Sequence, residues 1–365
     1  MNAHHHATKF SVLGPLTLAL LLLVPAGASA QPLQLFGDDG DLRWTQNADG
    51  HGLVLEGLGT DPGTSTVDLP FAATARPLDL ERQGDHWWAL AAESTAQGPS
   101  LAVAAGRSTA SQRLPSPGLR GERLVQGAAL LAGESGLEAM VWLEGSEVRR
   151  LAVHGAVWTG ESWGPTVDIS PIGKGTQIAL DARVLADGSW LAVWAAFDGS
   201  DDEILWSRAV DGHWSDPRPV TADNATPDIT PRLFVTADGA LLAWSHFAGT
   251  PEDGGYRIEV ARFSDGRWTL PRTVAGRGSS MPRFLRHDQP VLGYQSAAPL
   301  GWGLLELGAS GTVQRRAFVD IRSTDAPILV LDGRELTLAW RVFGEDGRAV
   351  KQQVRRAIPW QDATP

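Results

Sequence analysis

The feature that most limits what this chain can fold into is a repeat. Asp187-Gly-Ser-Trp-Leu-Ala-Val-Trp194 returns as Asp238-Gly-Ala-Leu-Leu-Ala-Trp244, and Ser207-Arg-Ala-Val-Asp-Gly-His-Trp-Ser-Asp-Pro-Arg-Pro-Val220 returns as Ala261-Arg-Phe-Ser-Asp-Gly-Arg-Trp-Thr-Leu-Pro-Arg-Thr-Val274. Trp214 and Trp268 are thereby 54 residues apart. Extending the register places an aromatic at the end of an apolar strand at Trp88, Trp142, Trp194, Trp244, Tyr294 and Trp340, at spacings of 54, 52, 50, 50 and 46 residues. Each unit holds about four short strands joined by Asp-Gly turns, the two-residue hairpin signal.

A period near 50 residues with four strands per unit is the sequence form of a β-propeller blade. Such a blade has two apolar faces that only neighbouring blades can cover. The strand Trp190-Leu-Ala-Val-Trp194 is apolar without alternation, as a strand buried on both faces should be. The expectation is an all-β propeller of six blades, each of four antiparallel strands, filling residues 31–365 as a single domain. Residues 31–75 lack the Asp-Gly-Trp pattern; they form either a seventh, degenerate blade or strands that close the C-terminal one.

The first thirty residues have the order of a cleavable secretory signal: Lys9, an apolar run from Leu16 to Val24, a Pro25 break and Ala28-Ser29-Ala30 at the cut. The run is shorter than the ~20 residues needed to span a bilayer, so membrane insertion is not expected. The product would be periplasmic or secreted. With no cysteine, 15 Trp and 41 Gly in 365 residues, an exported fold of this kind must be held by burial rather than by disulfides. The formal charge of −11 repels phosphate backbones and argues against nucleic acid as a partner. No histidine pair has metal-ligand spacing, so neither a metal nor another cofactor is expected, and nothing in the chain calls for an oligomer.

The turns are tight where Asp187-Gly188, Asp211-Gly212, Asp238-Gly239, Asp265-Gly266 and Asp332-Gly333 stand, and long at 197–202, 221–230, 247–255 and 296–301. Function on a rigid scaffold concentrates in the longer loops, which places a binding face where each first strand begins and each Trp strand ends. Arg183, Arg232 and Arg283 stand at matching starts of first strands in successive units and could grip a carboxylate or sulfate in bidentate fashion. The competing reading pairs each with an acid such as Asp181, Asp228 or Asp325. Phe197, His246, Phe247, Tyr256 and Arg341 lie near the same rim, and an aromatic beside a hydrogen-bonding group suits a sugar ring.

Ser264-Asp-Gly-Arg-Trp268 and Val210-Asp-Gly-His-Trp214 sit where the sialidase-like, BNR-repeat propellers carry their Asp-box turn, and the chain resembles that family over residues 76–360. Both turns depart from the box, because Asp and Gly are adjacent. The resemblance implies an arginine cluster on an acidic sugar and, in active members, a Tyr nucleophile with a Glu and an Asp acid. The chain has only Tyr256 and Tyr294, and Tyr294 falls on a core position. A second resemblance, to six-bladed fucose lectins, rests on one Trp, one Arg and one acid per unit. The function expected is non-catalytic binding of a glycan or partner; the alternative is an exo-sialidase-type glycoside hydrolase. Whether the chain is an enzyme is left open by its residues.

Overall fold

The computed structural model describes residues 34–36, 43–46, 53–56 and 67–363, apart from 73, 108–109, 122–123, 172, 174, 222–223, 251–252, 286–288, 321–327, 333–334 and 344–348. The signal-like segment 1–30 lies outside the described residues. Those described are all-β, with no helix among them, and none long and apolar enough to cross a membrane.

Alternation and Asp-Gly turns fold the chain into successive antiparallel meanders. The first sheet holds Gln34–Phe36, Arg43–Gln46, Leu53–Glu56 and Val67–Asp68. The second holds Arg76–Gln83, His86–Thr95, Gly98–Arg107 and Ala110–Leu114. The third holds Leu124–Gly133, Gly136–Gly145, Leu151–Val157 and Val167–Ser170. In the fourth, Gln177–Val184, Trp190–Phe197 and Asp202–Val210 are edged by the two short strands His213–Trp214 and Arg218–Pro219.

The fifth repeats that plan with Asp228–Thr236, Gly239–Ala248 and Gly255–Ser264, edged by Arg267–Trp268 and Arg272–Ala275. The sixth has Ser279–Phe284, Val291–Ala297, Leu300–Leu307 and Val313–Val319, and gains Gln361–Asp362 from the C-terminus. The last described sheet has three strands, Ile328–Asp332, Glu335–Phe343 and Ala349–Ala357.

Each first strand from the second sheet to the fifth packs on the first strand of the next. A separate apolar cluster fills each interface, the one between the fourth and fifth sheets holding Leu191, Val193, Trp206, Leu242, Trp244 and Phe263. Trp142, Trp194 and Trp244 are fully buried, as their strand positions require. Asp211-Gly212 and Asp265-Gly266 both have positive φ at the two central residues (51° and 76°, 52° and 74°), the type I′ geometry that fits the strand twist. This succession of meanders stacked face on face is the propeller class of arrangement expected from the repeat.

The described residues form seven sheets: residues 34–68 pair among themselves, one of the two alternatives expected for them, and the chain end joins the sixth sheet. Two expectations change. Trp88 does not end its strand: it is third in His86–Thr95 and pairs with Ala105, since the strand runs on past the apolar stretch. Tyr294 occupies a core register but is only half-buried; its ring lies over Gly303 across the sheet, where a Cβ would fall 2.0 Å from the ring.

Candidate functional site

The first strands of the fourth, fifth and sixth sheets share an irregularity that sequence spacing does not reveal. Register shifts lie between Ile178 and Asp181, Ile229 and Arg232, and Ser280 and Arg283. Inside them Ala179, Thr230 and Met281 take φ of 55°, 57° and 55°. Bulges of this kind bend a strand and re-aim its side chains. Counted from these bulges, Arg232 and Arg283 match Asp181, each standing opposite the residue before the strand's core aromatic. Arg183 is two residues further along, so the three arginines do not occupy equivalent positions.

Arg183 is committed to acids. Its Nη1 lies 3.2 Å from Glu81 Oε1, two sheets away, and 3.4 Å from Asp181 Oδ1. Burial alone would lower its pKa, but Asp181, Glu81 and Asp79 together hold the guanidinium above its usual range. The same acids tie sheets together: Asp79 Oδ2 accepts from Leu130 N at 2.7 Å and Asp181 Oδ2 from Leu233 N at 2.8 Å, each donor in the first strand of the next sheet. For Arg183 the structural pairing holds, and one of the acids named for it, Asp181, is a partner. Asp228 pairs with His246 instead, and Asp325 lies outside the described residues.

Arg232 differs. Its one hydrogen bond among the described residues is Nη1 to the carbonyl of Pro231 at 2.8 Å, and it has no ion pair among them. Burial lowers its pKa, with Asp181 opposing and the Arg183 charge adding to the fall. Burial and the neighbouring Arg232 charge bring Arg283 down to about 10. Two partly dehydrated cations are thus held close together.

Arg232 lines a cavity of about 290 Å³, with Arg76, Gln126, Gly127, Ile178, Ala179 and other residues at the starts of the second to fourth sheets' first strands. Arg76 is spent on carbonyls, its Nη2 donating to Val125 O at 2.9 Å. At Gly127 a Cβ would meet nothing closer than Leu143 at 3.6 Å.

The rim residues assemble between the fourth and fifth sheets. Asp228, 2 % exposed, accepts from Trp244 Nε1 at 3.0 Å and lies 2.7 Å from His246 Nδ1, which leaves the other ring nitrogen of His246 outward. The hydrogen bond to Asp228 raises the His246 pKa against the opposing effect of burial. Phe247 meets Tyr256 edge-on, ring centroids 5.4 Å apart. Phe197 is exposed and pairs with Asp202 across its sheet, as Phe247 pairs with Tyr256 in the next. Arg341 lies in Glu335–Phe343, but its side chain is outside those described.

Asp202 was not singled out by sequence, although its place after Phe197 in a long acidic loop is the signal that could have found it. Burial and the charges of Asp201 and Asp198 push its carboxyl up to about 6. No group of three or more His, Cys, Asp or Glu among the described residues is placed to hold a metal.

No family model matches the chain, and no curated protein is significantly similar to it. Among solved structures it is similar to the polysaccharide lyase Uly1, with a TM-score of 0.51 and 9% identity, covering 88% of this chain and 90% of that one. It also aligns with a protein of unknown function from Dyadobacter fermentans DSM 18053 (TM-score 0.48, 12% identity, 78% and 95% covered). A third is the six-bladed fucose-recognising lectin of Aleuria aurantia (TM-score 0.43, 11% identity, 80% and 96% covered). At these identities the likeness is one of fold.

Proposed function

We propose that this protein is an exported, monomeric β-propeller that binds an acidic glycan at the mouth of its central channel without cleaving it. The observation that carries the reading is Arg232: a guanidinium with no carboxylate partner among the described residues, facing a 290 Å³ cavity and crowded by a second cation at Arg283. A bound carboxylate would relieve the Arg232 charge and make charge-assisted hydrogen bonds in a partly dehydrated site. Seven blades closed into a ring are part of the proposal, supported by the packing of Gln34–Phe36 against both Arg76–Gln83 and Ile328–Asp332.

Binding is favoured over sialidase-type hydrolysis by the lining of the cavity. A retaining enzyme of that kind needs a tyrosine and an acid beside the arginine, and the described lining contains neither.

Isothermal titration with glucuronate, galacturonate and N-acetylneuraminate, each against its uncharged counterpart, tests the reading. The acids should bind and the neutral sugars should not. Arg232→Met should weaken binding by about 10- to 100-fold, the equivalent of roughly 1.5–3 kcal/mol for a lost charged hydrogen bond. Gly127→Val should block the cavity with little change in melting temperature. Equal affinity for acid and neutral sugars, or an unchanged affinity in Arg232→Met, would overturn it.

A further inference from the structure

The rim between the fourth and fifth sheets holds three groups with hydrogen-bonding capacity that no described residue takes up. The Asp202 carboxyl and the Tyr256 hydroxyl make no hydrogen bond or ion pair among the described residues, and His246 engages only its Nδ1. Aromatic rings flank them: Phe197 is exposed, while Phe247 and Tyr256 are half-buried and meet edge-on. Asp202 and Tyr256 are equivalent positions of adjacent sheets, three residues before Leu205 and Glu259, which face Trp194 and Trp244. The two are close enough that the Asp202 charge raises the Tyr256 pKa, after the larger effect of burial. Apolar ring faces beside unpaired donors and acceptors form the kind of surface that takes a sugar ring.

The rim is also joined to the cavity. Asp228, which holds His246, and Arg232, which lines the cavity, belong to the same strand Asp228–Thr236. Four residues of strand span at most about 13 Å, within the reach of one oligosaccharide. The two places differ in charge. The cavity presents guanidinium, whereas the rim presents the Asp202 carboxyl, which lies in the field of the Asp201 and Asp198 charges. A second acidic sugar on the rim would meet like charge.

We infer that cavity and rim are two parts of one site, and that its ligand is a mixed glycan whose acidic sugar enters the Arg232 cavity while an uncharged neighbour lies on Phe197, Asp202, His246, Phe247 and Tyr256. The inference rests on the acidic-glycan reading above and adds what the next sugar must be.

Calorimetry on the full-length mature chain separates the two ideas. The ligands are galacturonate, digalacturonate and a panel of disaccharides joining a uronate to a neutral hexose or pentose. Wild-type protein should bind at least one mixed disaccharide roughly tenfold tighter than galacturonate, about the effect of one well-packed contact, and digalacturonate no tighter than the monosaccharide. Phe247→Ala and Tyr256→Phe should return the disaccharide to the monosaccharide level with monosaccharide affinity and melting temperature kept. Asp202→Asn should improve digalacturonate relative to wild type. If the monosaccharide binds but no mixed disaccharide binds tighter, or if the rim variants leave the disaccharide unaffected, the two-part site is wrong and the cavity reading stands. If nothing acidic binds at all, both fail.

Discussion

Arg183 and Glu81 lie 102 positions apart in the chain, yet Nη1 of one stands 3.2 Å from Oε1 of the other. The pair joins the first strands of the second and fourth sheets past the third, and Asp79 and Asp181 complete an acidic surround for the guanidinium. Burial pushes the Asp79 carboxyl upward while Arg183 opposes the rise. Arg183→Met should therefore leave buried carboxylates without their counter-charge and lower stability by about 3–5 kcal/mol. Urea unfolding at neutral pH measures it; a loss below about 1 kcal/mol would mean the acids find other partners.

Arg232→Met should behave in the opposite way. Its charge is half-buried and partly desolvated, has no ion pair among the described residues, and repels Arg283. Replacing it with an apolar chain of similar length removes a desolvated charge, so stability should stay level or rise while acid binding falls. Comparing urea midpoints of the Arg183 and Arg232 variants distinguishes a structural arginine from a binding one. A large destabilisation of Arg232→Met with binding intact would reverse the assignment.

Asp202 gives a pH signature. Its carboxyl is raised from 3.8 to about 6 by burial and by Asp201 and Asp198, and the Tyr256 phenol lies within reach of its charge. Between about pH 4 and 6 the folded state keeps a proton that the unfolded chain has released, so this group makes stability fall as pH rises through that window. Asp202→Asn should remove that component and stabilise the protein at pH 7 by roughly 1–2 kcal/mol, less than the full shift because the group is partly solvated. Unfolding curves at pH 4, 5, 6 and 7 would show the two proteins diverging with pH; parallel curves would refute the assignment.

Ala179 holds a left-handed backbone at φ 55° without being glycine. Such a conformation is strained for any residue with a Cβ. Ala179→Gly should relieve it and stabilise by up to about 1 kcal/mol, part of the gain being offset by the freer unfolded chain. Thermal melts suffice to check this. A destabilised Ala179→Gly would mean that the Ala179 methyl packs well enough to outweigh the strain.

The elements that were legible in the sequence are those built by neighbours along the chain. Asp211-Gly212 and Asp265-Gly266 form their turns from two residues each, and Trp194 and Trp244 are buried because the stretch of strand that leads up to each is apolar. The separate sheet of residues 34–68 was legible only as an alternative, since its strands lack the repeat's Trp and Asp-Gly signals. Asp202 escaped notice because an acid in an acidic loop looks like any solvated carboxylate until its burial is known.

By itself the sequence determined the all-β class and the meander within each repeat, because hairpin turns and strand apolarity are local properties; the connection at 296–301, expected to be long, is a two-residue turn between Ala297 and Leu300. Only the tertiary structure decided which arginine makes an ion pair among the described residues. Spacing placed Arg183 beside Arg232 and Arg283, but the bulges at Ala179, Thr230 and Met281 shift the register so that Asp181 takes that place. Whether a guanidinium there meets a carboxylate or an open cavity depends on side chains brought from other first strands, Glu81 to Arg183 and none to Arg232 among the described residues. That is a consequence of packing first strands of different sheets on one another, and no window along the chain contains it.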